Sequence, residues 1–292
     1  MSLPFQVPQL FSAVSAYSRM KSRRFSKEMP REYFLQDSSL FYPYYPEGLF
    51  SIFTLNLGLF PFSNLAGWMF YNFLSYTRSD FYLLQEIKNQ PLFRNLIQIW
   101  NARFPEHSYR IYFSSQEVNR SCLAIMVSNN WKGYCSVRQV YPHIFGKPDL
   151  PLRSPLALFT SYNGVDFCLL NIHGVPYGAK YRSDKFNKFW NLTSCWIGHQ
   201  ADASFVIAGG DWNQRPDPVP TLKPAVLHIH PGKDFLNNID YFCVFGDDDL
   251  KIDLFTFDQT DMKSDLIKYE HFKNWKNDLS DHFPVLLEVR FY

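Results

Sequence analysis

Four short apolar runs in this chain each end in a polar side chain that packing does not explain: Asn56, Glu86, His173 and Asp211. This repeated pattern constrains the fold more than any other feature. Side chains at strand ends leave the sheet and reach solvent, which is where ligand sites gather. Taken singly, each residue has a plain explanation. A terminal Asn or Asp caps a turn, a Glu after a strand opens a helix at its positive end, and a single His is a satisfied polar residue. Four together, followed by Asp240 and the pair Asp281-His282, read as one site assembled from strand ends.

The elements between these residues fix the fold class. Phe50–Leu57 reads as a buried strand, Trp68–Tyr76 as a short helix and Asp80–Glu86 as a second strand. Pro91–Phe104 carries Leu92, Phe93, Leu96, Ile97, Ile99 and Trp100 at helical spacing. Strands then dominate at Ser121–Ser128, Val137–Tyr141, Leu156–Tyr162 and Val165–Ile172, and Asn163-Gly164 marks a hairpin between the last two. Ser183–His199 reads as a helix. Phe205–Ala208 reads as a strand capped by Gly209-Gly210-Asp211, and Asp240–Phe245 and Val285–Phe291 complete the set. Many strands interrupted by several helices predict an α/β (α+β) chain of two packed mixed sheets flanked by helices.

Composition excludes some classes. With 46% apolar and 18% aromatic residues the chain builds a substantial core and is not disordered. The formal charge of +2 is uneven. Residues 1–31 hold six basic side chains against one acidic, leaving 23 basic and 26 acidic residues for the rest, so the body is no basic nucleic-acid sponge. The charge-free stretch from Gly48 to Thr77 is long enough to span a bilayer, but Gly58, Pro61, Gly67 and three asparagines break it into strand, loop and helix. Five cysteines without a CxxC pair read as free thiols in a reducing compartment. No secretory signal is visible, so an intracellular (cytoplasmic) location is expected.

The residue types also point to a chemistry. Carboxylates are the hard oxygen ligands that magnesium or manganese takes. Asn and protonated His donate to phosphate oxygens as charge builds on them. Glu, Asp, Asn and His without a thiol ligand suit metal-assisted phosphate hydrolysis.

The motifs Thr54-Leu55-Asn56, Leu84-Gln85-Glu86, Asn171-Ile172-His173, Gly210-Asp211-Trp212-Asn213, Ile239-Asp240-Tyr241 and Ser280-Asp281-His282 stand in one order along the chain. In that order the chain resembles the endonuclease/exonuclease/phosphatase (deoxyribonuclease-like) superfamily over about residues 50–292. The resemblance implies a four-layer α/β sandwich with its site at one rim of the paired sheets. Residues 1–47, rich in aromatics, Pro, Ser and basic side chains with no sustained period, read as an N-terminal extension ordered in part at best, ahead of a catalytic domain, 48–292. The resemblance implies that Glu86 holds a divalent metal, Mg2+ or Mn2+, with Asn56 beside it and Asp281 next to it. Asp211 would orient or deprotonate the attacking water, and Asn213 would hold the phosphate. His282 would meet the phosphate in the transition state with Asp240 fixing its ring, and His173 would be a second imidazole donor. The implied reaction is in-line attack of water on phosphorus, with no nucleotide cofactor. Trp212, where phenylalanine or leucine is commoner, and an uncertain basic counterpart at Arg153 are the departures.

Substrate is less legible. Asn213-Gln214-Arg215-Pro216 and Asn238-Ile239-Asp240 lack the extensions typical of inositol 5-phosphatases, and the extension of abasic-site endonucleases is absent too. A nuclease is the preferred expectation, with Arg120, Lys180, Arg182, Arg215 and Tyr177 as candidate contacts to a nucleic acid. The alternative is a lipid phosphodiesterase or phosphatase docking on a membrane through the apolar run 59–70, with Leu59, Phe60, Phe62, Leu65, Trp68, Met69 and Phe70. A third reading is a binding protein that keeps the fold without turnover, against which the complete set of site residues argues.

Overall fold

A computed structural model of the protein describes residues 48–58, 64–115, 121–140, 154–174, 203–213, 228–230, 239–246, 252–257, 262–263, 266–268, 272–273 and 275–292. Among the described residues twelve strands form two six-stranded sheets. The first has the order β11 (Ile252–Phe257), β12 (Val285–Phe291), β1 (Leu49–Asn56), β2 (Phe81–Ile87), β4 (Cys122–Ser128), β3 (Tyr109–Phe113). The second runs β5 (Ser136–Gln139), β6 (Leu156–Tyr162), β7 (Val165–His173), β8 (Phe205–Asp211), β10 (Asp240–Gly246), β9 (His228–His230). Each sheet is mixed: β1 and β2 are parallel, β7 and β8 are parallel, and the other pairings are antiparallel.

The period of two along the strands sorts side chains into three apolar layers. Phe50 and Ile52 of β1, Phe81 and Leu83 of β2, Phe167 and Leu169 of β7, Phe205 and Ile207 of β8, and Phe242 and Val244 of β10 meet between the sheets. The alternate residues of β1 and β2, among them Phe53, Leu55, Tyr82 and Leu84, face the helices α1 (Asn64–Thr77) and α2 (Gln90–Arg103) and Trp275 of the short α3 (Trp275–Asp278). Cys168, Leu170, Val206, Ala208, Trp212 and Tyr241 form a third cluster on the far face of the second sheet. Helix α2 starts where Asn89 accepts a hydrogen bond from the Leu92 amide and Pro91 occupies the first turn, and its Phe93, Leu96, Ile97 and Trp100 are the buried stripe. Each large side chain buried this way contributes about 1.5–3 kcal/mol.

Several boundaries differ from the sequence reading. The first helix spans Asn64–Thr77, longer than Trp68–Tyr76: Ala66 packs into the core before the expected start, and Thr77 bonds to the Phe73 carbonyl and the Tyr82 hydroxyl at the end. Strand β8 continues through Gly209 and Gly210 to Asp211 instead of ending at Ala208. Glycines weaken a strand in general, but here they permit close approach: a Cβ on Gly210, whose φ is +152°, would lie 1.9 Å from the Ile172 carbonyl oxygen, and one on Gly209 would lie 2.3 Å from the Phe242 ring. Strands β3, β9 and β11 were not expected. The first carries an arginine mid-strand, the second has three residues, and the third is an edge strand with Phe255 and Phe257 exposed. The helix expected at Ser183–His199, the extension 1–47 and Tyr141 all lie outside the described residues.

Three residues of the apolar run expected to dock on a membrane are spent elsewhere. Met69 and Phe70 are 1% and 0% exposed in the helix-side core, and Trp68 packs against it, so these residues present no free docking face. Residues 59–63 are outside the described set. Among the described residues no helix is long and apolar enough to cross a membrane.

Candidate active site

Strands β1, β2, β7 and β8 end, and β10 begins, at one rim of the paired sheets. In the second sheet the register sets three polar residues side by side: His173 lies opposite Asp211, and Asp240 faces Asp211 from the other flank. All three continue the column of inward-facing residues whose lower members are Phe167 and Leu169, Phe205 and Ile207, and Phe242 and Val244. Asn56 does the same above Phe50 and Ile52 on β1. The polar rim therefore caps the apolar interlayer of the sandwich.

Glu86 reaches the rim by a different route. By strict alternation it would point at the helices, one step after Gln85. The pairing of β2 with β4 slips between Leu84 and Ile87, and Glu86 takes φ +57°. This bulge leaves Leu84 and Ile87 both in the helix-side core and turns Glu86 across to the second sheet. A left-handed glutamate costs on the order of 1 kcal/mol or more and persists only where its surroundings impose it. Asn213, the other rim residue with a left-handed backbone, has φ +54°.

The side chains meet around Asp211. Its Oδ2 accepts a hydrogen bond from Asn56 Nδ2 at 2.8 Å and lies 3.8 Å from His173 Nε2 and 4.0 Å from His282 Nε2. Its Oδ1 accepts the Asn213 amide at 2.8 Å. His173 Nε2 also stands 3.4 Å from Glu86 Oε1, so one imidazole nitrogen touches the carboxylates of both sheets. His282 Nδ1 and Asp240 Oδ2 are 2.7 Å apart, and Asp281 Oδ1 lies 3.9 Å from His282 Nε2 at the exposed edge. Asn213 Nδ2 donates to the Gly174 carbonyl at 3.3 Å. The eight residues named from sequence thus surround one centre, with Asp281 as its outermost member.

Sequence reasoning did not assign the supports of this centre. Ser280 donates its hydroxyl to the Asn56 carbonyl and accepts the His282 amide at 3.0 Å, which pins the C-terminal motif to β1. Trp275 Nε1 donates to the His282 carbonyl at 2.6 Å. The Gly58 amide, at φ +83°, donates to Asn56 Oδ1 at 2.8 Å and locks that amide with its nitrogen toward Asp211. Lys88 Nζ stands 3.5 Å from Glu86 Oε2. The position of Ser280 beside Asp281 and His282 was the one available signal; the rest depend on contacts remote in sequence. Arg120, Arg153, Tyr177, Lys180, Arg182 and Arg215 lie outside the described residues.

The electrostatics follow from burial and adjacency. Burial, then the neighbouring Asp240 charge, push the Asp211 carboxyl up to about 7 against the pull of His282, Asn56 and the Asn213 amide. Burial opposes charge on His282, but Asp240, then Asp211 and Asp281, outweigh it and raise the imidazole to about 10. His282 is therefore an imidazolium at neutral pH.

The donor set suits a hard divalent cation. Glu86 Oε2 is buried and makes no hydrogen bond among the described residues, the Lys88 ammonium at 3.5 Å being its charged neighbour, so it keeps lone pairs for a metal. Asp211, Asp240 and His282 also offer ligand atoms within 4.8 Å of one another. Asp240 and His282 are already committed to each other at 2.7 Å, so Glu86 is the better anchor.

No family model matches the sequence, and no curated protein does. Solved structures do match. A humanized D. rerio TDP2 carrying 14 mutations has a TM-score of 0.59 at 17% identity, covering 83% of this chain and 99% of that one. An endonuclease/exonuclease/phosphatase from Bacteroides vulgatus gives 0.57 at 13% identity, covering 84% and 99%. D. rerio TDP2 complexed with a single-strand DNA product gives 0.56 at 12% identity, covering 84% and 100%. The fold is that of the endonuclease/exonuclease/phosphatase superfamily.

Proposed function

We propose that the chain is a divalent-metal-dependent phosphodiesterase whose substrate is a nucleic acid. The observation that carries this reading is the Asp211 carboxylate, set between Asn56, His173 and His282 at a rim that also holds Glu86. In this reading Glu86 would anchor Mg2+ or Mn2+, and Asn56 and Asp281 would be the further residues to hold it. The cation, when bound, neutralises charge building on the phosphoryl oxygens.

The chain's own residues supply the rest. Asp211 holds the attacking water and takes its proton, since Oδ2 lies between His173 and His282 and Asn56 keeps it in place. His282 donates from Nε2 to a phosphate oxygen, while Asp240 fixes its ring through Nδ1 and keeps it charged. His173 and the second amide hydrogen of Asn213 are further donors to the phosphate. Support for a nucleic acid comes from the fold neighbour whose complex holds a single-strand DNA product. An intracellular setting belongs to the same proposal; Cys122, Cys168 and Cys243 are buried in the core, as thiols in a reducing compartment commonly are.

The test is a substrate panel of plasmid DNA, single-stranded DNA, RNA, sphingomyelin and phosphoinositides, with Mg2+, Mn2+ or chelator. Nucleic acid should be cleaved only with metal, and His282→Ala and Asp211→Ala should each lose about 100-fold or more. Unchanged activity in either variant sinks the mechanism, and lipid hydrolysis in place of nucleic-acid cleavage sinks the substrate assignment.

A further inference from the structure

A layer of buried amides lies directly beneath the site and joins the two sheets. Asn171 of β7 donates from Nδ2 to two carbonyls of the first sheet, Leu84 at 2.9 Å and Ala124 at 2.8 Å. Its Oδ1 accepts from Gln85 Nε2 at 2.7 Å, and that same nitrogen lies 3.0 Å from Thr54 Oγ1 and from the Leu83 carbonyl. Asn171 and Gln85 are both fully buried. The orientation of each amide is fixed: two carbonyls require the Asn171 nitrogen, so its oxygen faces Gln85, which must present its nitrogen.

The place of this clasp is what gives it a consequence. Leu84 and Ala124 are the last aligned pair of β2 and β4 before the register slips, and the slip turns Glu86 toward the second sheet. Asn171 grips both strands at that point, two residues below His173 on its own strand. The apolar interlayer beneath is non-directional and sets no register between the sheets to a fraction of an ångström. Three directional hydrogen bonds do. Gln85 Oε1, moreover, is buried with no hydrogen-bond partner among the described residues, a cost to stability that an apolar pair would avoid.

We infer that Asn171, oriented by Gln85, is a positioning residue that holds the β2 bulge and so sets the Glu86 carboxylate against His173 and Asp211. This rests on the reading of Glu86 as the metal anchor.

The experiment compares Asn171→Leu, Gln85→Met and the double variant Asn171→Leu/Gln85→Leu in the full chain. Each is read by melting temperature, Mn2+ affinity by electron paramagnetic resonance, kcat and KM on the preferred substrate, and amide hydrogen exchange over residues 84–88. Asn171→Leu should lose about 10–100-fold in kcat and Mn2+ affinity with KM little changed, as for partners that orient a metal ligand. Gln85→Met should lose less, because Asn171 keeps both carbonyls. In the double variant the apolar pair should restore the melting temperature while kcat and Mn2+ affinity stay low and exchange over 84–88 stays fast. Recovery of activity together with melting temperature would show a purely structural clasp and overturn the inference. Unchanged exchange over 84–88 in Asn171→Leu overturns it too, whether or not the wild-type protein proves to be a hydrolase, so the two readings fail separately.

Discussion

Changing Asp240 to Asn leaves the shape of the site intact and removes the charge that holds His282 as an imidazolium. Asp240 Oδ2 sits 2.7 Å from His282 Nδ1, and both groups are mostly shielded from solvent. In the folded protein the imidazole is raised from 6.5 to about 10, with Asp240 as its foremost raising neighbour. At 1.36 kcal/mol per unit the full shift corresponds to a ceiling of about 5 kcal/mol. Asp211 and Asp281 supply part of it, so on the order of 2–4 kcal/mol is expected from Asp240, within the range for breaking a buried pair. The folded value lies above the unfolded one. The stabilisation is therefore complete below about 6.5 and is lost as pH rises through about 10. Metal-free urea titrations from pH 6.5 to 10 should show wild-type stability falling across that window and the Asp240→Asn curve nearly flat. Imidazole NMR should move His282 from near 10 to below its ordinary value, because burial then acts with less opposition, and turnover near neutral pH should drop about 100-fold. If Asp240→Asn keeps the wild-type slope and the His282 titration, the pairing argument is wrong.

Three other perturbations reach different parts of the molecule. Glu86→Gln should weaken Mn2+ binding by at least about 100-fold while the melting temperature of the metal-free protein stays level or rises, as read by titration calorimetry and thermal unfolding. Gly210→Ala should destabilise by about 3 kcal/mol or more in denaturant unfolding, since its Cβ would sit 1.9 Å from the Ile172 carbonyl oxygen at a φ of +152°. Asp80, raised to about 6 by burial despite its bonds to Ser51, gives the same pH sign as His282 in a more acidic window. Its folded state holds the proton more tightly than the unfolded chain, so its contribution falls between about 4 and 6 and stays low above. Asp80→Asn should thus gain about 1–2 kcal/mol at pH 7 and flatten that window, a figure reduced from the full shift because the residue keeps partial solvent contact.

The sequence by itself determined which residues line the rim and that they sit at strand ends. Apolar runs terminated by Asn56, His173 and Asp211 place those side chains at strand ends; both faces of these strands are buried, so packing decided that all three face the interlayer. It also determined the paired-sheet class, because Asn163-Gly164 and the spacing of runs leave few other packings. What it could not determine is how the rim is held. Glu86 lies on the wrong parity for the site, and only the slipped pairing of β2 with β4 brings it round. That slip is held by Asn171, 85 residues away along the chain and on the facing sheet. The burial of Met69 and Phe70 likewise depended on which surface met α1, and local pattern reads an apolar stripe the same way whether it faces a core or a membrane. Alternation is a property of one strand and is written in its residues. Register between strands and between sheets is a property of pairs, decided by hydrogen bonds that exist only once both partners are in place.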